Sequence, residues 1–313
     1  MPSPLTVAFQ GELGAFSEEA VRAWFGAEVE PLPCREFRQV GEAVRSGRVS
    51  AGVLPVENSL AGTVQPAYDV LAEPGLEVVG EVIRPIRHFL LAVPGATLEG
   101  LRRVISHPVA LAQCGNFLSG HPGIEAVAVY DTAGAAREVA EGGDPSVAAI
   151  ASHRAAERYG LEVLAEDLQD RSDNQTRFLV IRMEGTHPLP GEAIIGGQAA
   201  HPEPGSARWK TALLVETENR PGALVDILLP MAREGVNLSK LESRPGSTPW
   251  SYRFFLEFEG DPNQDAVTRS LDEVRRRARS VRVLGTFEPW RPSSASWHPV
   301  DSGNPPVRGF IDP

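Results

Sequence analysis

Short β-branched runs alternate with helix-period stretches along the first 183 residues. "LTVAF" precedes "SEEAVRAWFG", "RRVISH" precedes "PVALAQCGNFL", "AVAVYD" precedes "TAGAAREVA", and "VAAIAS" precedes "HRAAERYG". Strand followed by helix, repeated, predicts an α/β domain with a largely parallel sheet over residues 1–183. Ligands of such sheets bind beyond the carboxyl ends of the strands, so polar residues at strand-to-helix junctions are the first candidates for chemistry. The pattern stops after "RFLVIRM". Residues 184–207 are rich in Gly and Pro without a sustained period, as expected of a linker. A second pattern then runs from "KTALLVET" through "GALVDILLPMAREG", "NLSKLESR", "SYRFFLEFEG" and "NQDAVTRSLDEVRRRARS" to "VRVLGTF". It reads βαββαβ, a ferredoxin-like domain over residues 208–290. Residues 291–313 have the Pro, Ser and Gly content of a disordered tail.

Composition narrows the function classes. A chain of 313 residues with 42% hydrophobic and 23% charged content is a folded protein large enough for two domains. Its net charge of −11, with "RRRAR" at 275–279 as the one basic run, makes nucleic acid an unsuitable partner. Lys210 and Lys240 are the only lysines, which removes lysine Schiff-base chemistry from the first half of the chain. Two cysteines, Cys34 and Cys114, are too few for a disulfide framework or a structural zinc site. The opening "MPSPLTVAFQGELGAF" lacks a basic region followed by an apolar one, and no stretch reaches the length of a membrane span. A cytoplasmic location without membrane partners is expected.

Four junctions carry the candidate chemistry. In "GELGAFSEEA", Gly11 and Gly14 suit a tight turn and Ser17 a helix N-cap. The third glycine of a dinucleotide fingerprint is missing, and Glu18 and Glu19 oppose an anion. In "GVLPVENSLAGTV", Glu57, Asn58 and Ser59 interrupt an apolar strand, either as a simple turn or as part of a site. In "SHPVALAQC", His107 fits an N-cap before Pro108, with Ser106 at a strand end and Gln113 inside the helix. His107 and Cys114 lack metal-motif spacing and read better as cap and core. In "DRSDNQTRFLVI", Arg177 stands beside buried residues, where a charge needs a fixed partner: a surface carboxylate or a carboxylate-bearing ligand.

Together these stretches resemble the bacterial prephenate dehydratases, and the resemblance runs through Trp290. "GELGAFS", "PVENSLAGTV", "SHPVALAQC", "AAIASHRAAERYGL" and "NQTRF" match five family motifs in order. Ala15 stands where the family usually has Thr, Val109 where it has Gln, and Val56 where it has Ile. The second domain resembles the ACT domain attached to these enzymes. The resemblance implies a two-lobed catalytic domain like the periplasmic binding proteins, followed by that ferredoxin-like regulatory domain in a monofunctional chain.

The implied reaction is conversion of prephenate to phenylpyruvate with loss of carbon dioxide and water, needing no cofactor and no metal. Family likeness assigns Thr176 to the departing ring hydroxyl, with Glu57 as the rival proton source if burial raises its pKa. Asn58, Ser59, Ser106, Gln113 and Phe178 are expected to bind the substrate. Arg177 is expected to anchor the pyruvyl carboxylate, because clamping the ring carboxylate would oppose its departure. Phenylalanine is the implied effector, held by Asn219, Gly222, Ala223 and Leu224 with Glu242, Ser243, Arg244 and Pro245, in a homodimer or homotetramer. The same chemistry on arogenate, and a metabolite sensor without turnover, are the alternatives.

Overall fold

The alternating pattern folds as two sheets that share one chain crossing in each direction. The computed structural model describes residues 5–189, 209–246, 250–260 and 263–290. The first lobe contains β1 (Thr6–Gln10), α1 (Phe16–Phe25), β2 (Glu30–Cys34), α2 (Phe37–Arg45), β3 (Ala51–Asn58), β4 (Gly62–Thr63), α3 (Gln65–Ala72) and β5 (Leu76–Pro85). The chain then enters a second lobe made of β6 (Phe89–Ala92), β7 (Arg103–Ser106), α4 (Pro108–Gln113), α5 (Gly115–Gly120), β8 (Glu125–Ala128), α6 (Thr132–Gly142), β9 (Val147–Ala151), α7 (His153–Tyr159) and β10 (Glu162–Ala165). It returns through β11 (Gln175–Met183). The main strand orders are β2-β1-β3-β11-β5 and β10-β6-β9-β7-β8.

The sheets are mixed where a largely parallel sheet was expected. Strands β2, β1 and β3 run parallel, but β11 lies antiparallel between β3 and β5. The reason is the second crossing. β3 ends at the boundary between lobes, and a chain coming back from the second lobe enters the sheet at that boundary, so it must run the other way. In the second lobe β7 is parallel to β8 and β9, while β6 runs antiparallel to both its neighbours, β9 and β10.

Helix α1 also starts earlier than Ser17 suggested. Ala15 is its N-cap, and Glu18 in the first turn accepts from the Gly14 backbone N–H at 2.7 Å. No side chain caps α1, and its first turn carries the acids Glu18 and Glu19, which suit the helix dipole. His107 does cap α4, accepting from Val109 N, but Gln113 is the last residue of that helix rather than an interior one.

The C-terminal domain contains β12 (Lys210–Glu216), α8 (Ala223–Arg233), β13 (Leu238–Pro245), β14 (Tyr252–Glu259), α9 (Asp265–Arg277) and β15 (Ser280–Phe287), with sheet order β13-β14-β12-β15. Period-two alternation gives its sheet two apolar faces. Leu213, Val215, Leu256 and Phe258 pack with Ile227, Met231 and Leu271 of the helices. Ala212, Leu214, Phe255, Leu284 and Phe287 share a core with Tyr68, Leu71, Leu179 and Ile181 of the first lobe. The rings of Tyr68 and Phe255 meet edge to face at 4.8 Å. Residues 190–207 of the expected linker and the whole of 291–313 lie outside the described residues.

A buried charge network ties the same two bodies. Arg177 Nε lies 2.5 Å from Glu81 Oε2, and Arg177 Nη2 lies 2.7 Å from Glu257 Oε2 on β14. Lys210 Nζ donates to Glu81 Oε1 at 2.9 Å, and the Trp290 backbone N–H donates to the same oxygen at 2.9 Å. Burial alone would raise the Glu81 carboxyl, but Arg177 and Lys210 overcome it and hold the group below its ordinary value of 4.5. Burial opposes the charge of Arg177 as well, and Glu257 and Glu81 override it to raise its pKa.

Two expectations follow from this docking. A Cβ on Gly285 of β15 would stand 1.9 Å from the Val78 carbonyl oxygen of β5, a backbone atom that cannot swing aside. Gly285→Ala should therefore lower stability by about 1–3 kcal/mol, read as the denaturant midpoint; an unchanged midpoint would mean the two strands are not in contact. Glu81 binds fewer protons folded than unfolded, so its stabilisation is complete above about pH 4.5 and disappears as pH falls through its depressed folded value. Thermal midpoints measured on acidification should fall below that pH, and less steeply in Glu81→Gln; parallel curves would remove Glu81 from the linkage.

Candidate functional site

The sheet places Asn58, the last residue of β3, directly opposite Thr176 near the start of β11. Asn58 Nδ2 lies 2.9 Å from Thr176 Oγ1, 2.8 Å from Asn174 Oδ1 and 3.1 Å from the Gln175 carbonyl. Its Oδ1 accepts from the backbone N–H groups of Leu60 and Ala61, which fixes the amide orientation in a turn. Asn174 Nδ2 in turn donates to Gln113 Oε1 at 3.0 Å, and His88 Nε2 is 3.0 Å from the same oxygen. Side chains from both lobes and from both crossings therefore meet in one chain of hydrogen bonds. Burial keeps the pKa of His88 below its ordinary value, so a neutral imidazole donates from Nε2 to Gln113.

The direction of these bonds decides what Thr176 can do. Its oxygen accepts from Asn58, and among the described residues no acceptor takes its hydroxyl proton. A hydroxyl that already accepts a hydrogen bond is polarised toward donating one. Thr176 is also nearly buried, at 8% exposure, where a donor acts in a low dielectric.

Asn58 reaches this face because the strand is bulged. The partner of Arg177 is Glu57 and the partner of Phe178 is Pro55, so Val56 is an extra residue. Leu54 and Val56 belong to the core shared with the C-terminal domain, and strict alternation would have sent Asn58 there too. The bulge re-aims it beside Thr176.

The other expected site residues are distributed differently. Ser59 is a clip: its Oγ accepts from Gln175 N and donates to the Asp173 carbonyl. Ser106 is wholly buried, and its hydroxyl proton goes to the Ile150 carbonyl at 2.6 Å. Phe178 shares the face of Thr176 but lies one step deeper, inside the core rather than at the cluster. Arg177 and Glu57 point to the opposite face. Arg177 is engaged by Glu81 and Glu257, and Glu57 Oε1 lies 2.8 Å from Lys240 Nζ of β13. The expected substrate anchor and rival proton source thus face the C-terminal domain, because neighbours on a strand point to opposite sides. The guanidinium on the face of Thr176 is Arg84, its register partner on β5, with Glu19 at 3.9 Å. Burial pushes the Glu19 carboxyl up to about 7 despite that charge.

Asn174, His88 and Asp131 were not singled out from sequence. Asn174 lay in the quoted "NQTRF", while His88 carries no spacing signal. Asp131 caps α6 by accepting from Gly134 N, and burial holds its carboxyl above the ordinary value. Cys114 is buried with its thiol pushed up to about 12, so it behaves as core.

The glycine-rich opening is an interlobe latch. Tyr130 Oη donates to Glu12, Arg137 Nη1 pairs with Glu12 at 2.8 Å, Ser152 Oγ donates to the Gly14 carbonyl, and Tyr159 Oη donates to the Leu13 carbonyl. Glu18 adds an ion pair with Arg154 at 2.8 Å; burial raises its carboxyl, but the Gly14 N–H with Arg154 and Arg22 lowers it further. Of the expected effector residues, Gly222 is the N-cap of α8, with Ala223 and Leu224 in its first turn and Asn219 in the loop before it. Ser243 and Pro245 lie on the edge strand β13, where Glu242 accepts from Thr63 and Arg244 pairs with Asp69.

Comparison with known proteins places relatives around this chain. The profile of the prephenate dehydratase family matches residues 7–186. The chain is 40% identical over 296 residues to Arogenate dehydratase/prephenate dehydratase 2, chloroplastic, of Arabidopsis thaliana, covering 91% of this chain and 73% of that one. It is 38% identical to a Bifunctional N-acyl-homoserine lactone acylase/prephenate dehydratase of Komagataeibacter europaeus, covering 90% of this chain and 95% of that one. Among solved structures, the prephenate dehydratase of Arthrobacter aurescens in complex with L-Phe superposes with a TM-score of 0.79 at 32% identity, covering 91% and 90% of the two chains.

The latch makes its own prediction. A Cβ on Gly14, whose φ is +93°, would come within 2.9 Å of the Ala155 Cα in the other lobe. Gly14→Ala should open the lobes, raising the radius of gyration in solution scattering and lowering the melting temperature; an unchanged scattering profile would show that the lobes tolerate the side chain.

Proposed function

The chain belongs to the prephenate dehydratase family, and from that premise we propose that the Asn58–Thr176 cluster converts prephenate to phenylpyruvate. The carrying observation is the Asn58 amide donating into Thr176 Oγ1, which leaves the hydroxyl proton for the substrate. As the ring C–O bond breaks, Thr176 donates a hydrogen bond to the departing hydroxide and relays to it a proton taken from solvent, so the group leaves as water and the threonine keeps its hydroxyl. The ring C–carboxylate bond breaks in the same sense, its electron pair entering the ring to complete the aromatic system as carbon dioxide departs. Gln113, whose Oε1 is used by Asn174 and His88, presents its Nε2 as the second neutral donor. Neutral donors suit a reaction in which a carboxylate must lose its charge, since a cation on that group would hold the ground state more firmly than the transition state.

The C-terminal domain is assigned as an ACT domain that binds phenylalanine, a reading supported by the L-Phe complex of the relative from Arthrobacter aurescens. Its proposed contacts are Asn219, Gly222, Ala223 and Leu224 at the start of α8, with Glu242, Ser243, Arg244 and Pro245 of β13. Arogenate is the second candidate substrate, since the Arabidopsis relative is named for both dehydrations. The two differ in one group, an amine in place of the keto oxygen.

Purified protein mixed with prephenate near neutral pH should form phenylpyruvate above a no-enzyme blank, and phenylalanine should change the rate. Formation from arogenate alone would move the assignment to the amino substrate, and formation from neither would overturn the reading. Thr176→Ala should lower kcat by about 10²-fold with the fold retained, as for loss of a transition-state donor, whereas near-normal turnover would remove Thr176 from the chemistry.

A further inference from the structure

The two lysines of this chain both lie where the C-terminal domain meets the first lobe, although every other basic side chain apart from histidine is arginine. Lys210 holds Glu81, and Lys240 holds Glu57. The second contact belongs to a square of four charges. Glu57 and Arg177 are opposite one another in the β3–β11 ladder, and Lys240 and Glu257 are opposite one another in the β13–β14 ladder. Across the interface Lys240 meets Glu57 at 2.8 Å and Glu257 meets Arg177 at 2.7 Å. The signs alternate around the square, so each cation faces a carboxylate. Exchanging the partners would put Lys240 against Arg177 and Glu257 against Glu57, so the arrangement admits one registration of the two sheets.

The square has a specific relation to the cluster on the other face. Glu57 is the chain neighbour of Asn58, and Arg177 is the chain neighbour of Thr176. The hydrogen-bonded pair Asn58–Thr176 and the ion-holding pair Glu57–Arg177 are consecutive rungs of one ladder, pointing to opposite faces. Lys240 also reaches Thr63 Oγ1 at 3.5 Å, and Thr63 is the register partner of Glu57 on β4, so the hairpin containing Ser59 is held from the same side. A shift of the C-terminal sheet pulls on both rungs through rigid backbone, with no side-chain relay between.

We propose that Lys240 and Glu257 are positioning residues of the C-terminal domain, which set the separation of Asn58 and Thr176 by holding Glu57 and Arg177 from behind. The proposal rests on the reading of Asn58 and Thr176 as the reacting cluster and gives the C-terminal domain a direct mechanical hold on it. A purely adhesive role for the square would show in stability alone. A positioning role shows in kcat, because the donor geometry of Thr176 matters in the transition state while neutral binding contacts set KM.

Lys240→Met, Lys240→Arg and Glu257→Gln in the full chain test this. Lys240→Met and Glu257→Gln should lower kcat about fivefold or more with KM within about threefold, and Lys240→Arg should retain the wild-type kcat. Glu257→Gln leaves Arg177 buried with one carboxylate fewer and can fail to fold; Lys240→Met acts at the more open pair, where Glu57 is 37% exposed. Wild-type kcat in folded Lys240→Met, or a loss confined to KM, overturns the proposal, as does a loss seen in Glu257→Gln alone. The side-chain amide signals of Asn58, observed by NMR on protein labelled with 15N-asparagine, give a readout without substrate. They should move in Lys240→Met and return in Lys240→Arg, and unmoved signals overturn the proposal. If wild-type protein turns over neither prephenate nor arogenate, the proposed function fails while the NMR result still decides the positioning.

Discussion

The two-residue period of one antiparallel strand pair governs this molecule. Strands β3 and β11 each present one face to the lobe boundary and the other to the C-terminal domain, so adjacent residues serve different bodies. Thr176 joins a hydrogen-bond chain spanning both lobes while Arg177, next in sequence, is bound by Glu257 of another domain. Without the bulge at Val56, Asn58 would sit with Leu54 in the interdomain core and Thr176 would lose its donor. One extra residue therefore assembles the cluster, and the pleat separates its hydrogen bonds from the ion pairs behind them.

The anchorage makes physical sense only as a set. A guanidinium taken from water into a domain interface is costly unless its donors are met, and removing one partner of such a pair destabilises by about 3–5 kcal/mol. Arg177 has Glu81 and Glu257, and Glu81 is balanced by Lys210 and the Trp290 N–H. Apolar packing of Phe255 on Tyr68 supplies adhesion around this network without specifying direction, while the charges specify registration. Glu18 plays the corresponding part between the lobes, where Arg154 reaches it from the second lobe and Gly14 lets the backbones approach.

Much of this was legible in the residues. Most of the strand and helix segments, the βαββαβ order of the second domain and the His107 cap followed from local pattern. Thr176, Asn58 and Gln113 were singled out and meet in one cluster. Arg177 shows where local reading fails. Its need for a fixed partner was visible, but the partners are Glu81 on β5 and Glu257, eighty positions away in another domain, and sequence distance carries no trace of them. The period of β11 held a usable warning: once Thr176 faces the cluster, Arg177 must face away. The fold of β11 back into the first sheet was hidden for the same reason, since antiparallel pairing between distant strands is a tertiary fact. Ala15 rather than Ser17 is the N-cap of α1, and Glu18 in its first turn is held by Arg22 of the same helix and by Arg154 of the second lobe.

Placing Arg177 behind the strand also changes the electrostatic argument for the reaction. Had the guanidinium entered the cluster, it would have stood one residue from Thr176 and competed for either carboxylate of the substrate. Held by Glu81 and Glu257, its charge is neutralised on the opposite face of the strand. Thr176, Asn58, Asn174, Gln113 and a neutral His88 then form a surface of dipoles. Dipoles can follow a charge as it moves, and the guanidinium on the face of Thr176, Arg84, lies 3.9 Å from Glu19 and outside this hydrogen-bond chain. The same ion pairs that fasten the C-terminal domain thereby keep Arg177 away from the cluster, so docking and its absence from that face are two results of one side-chain orientation.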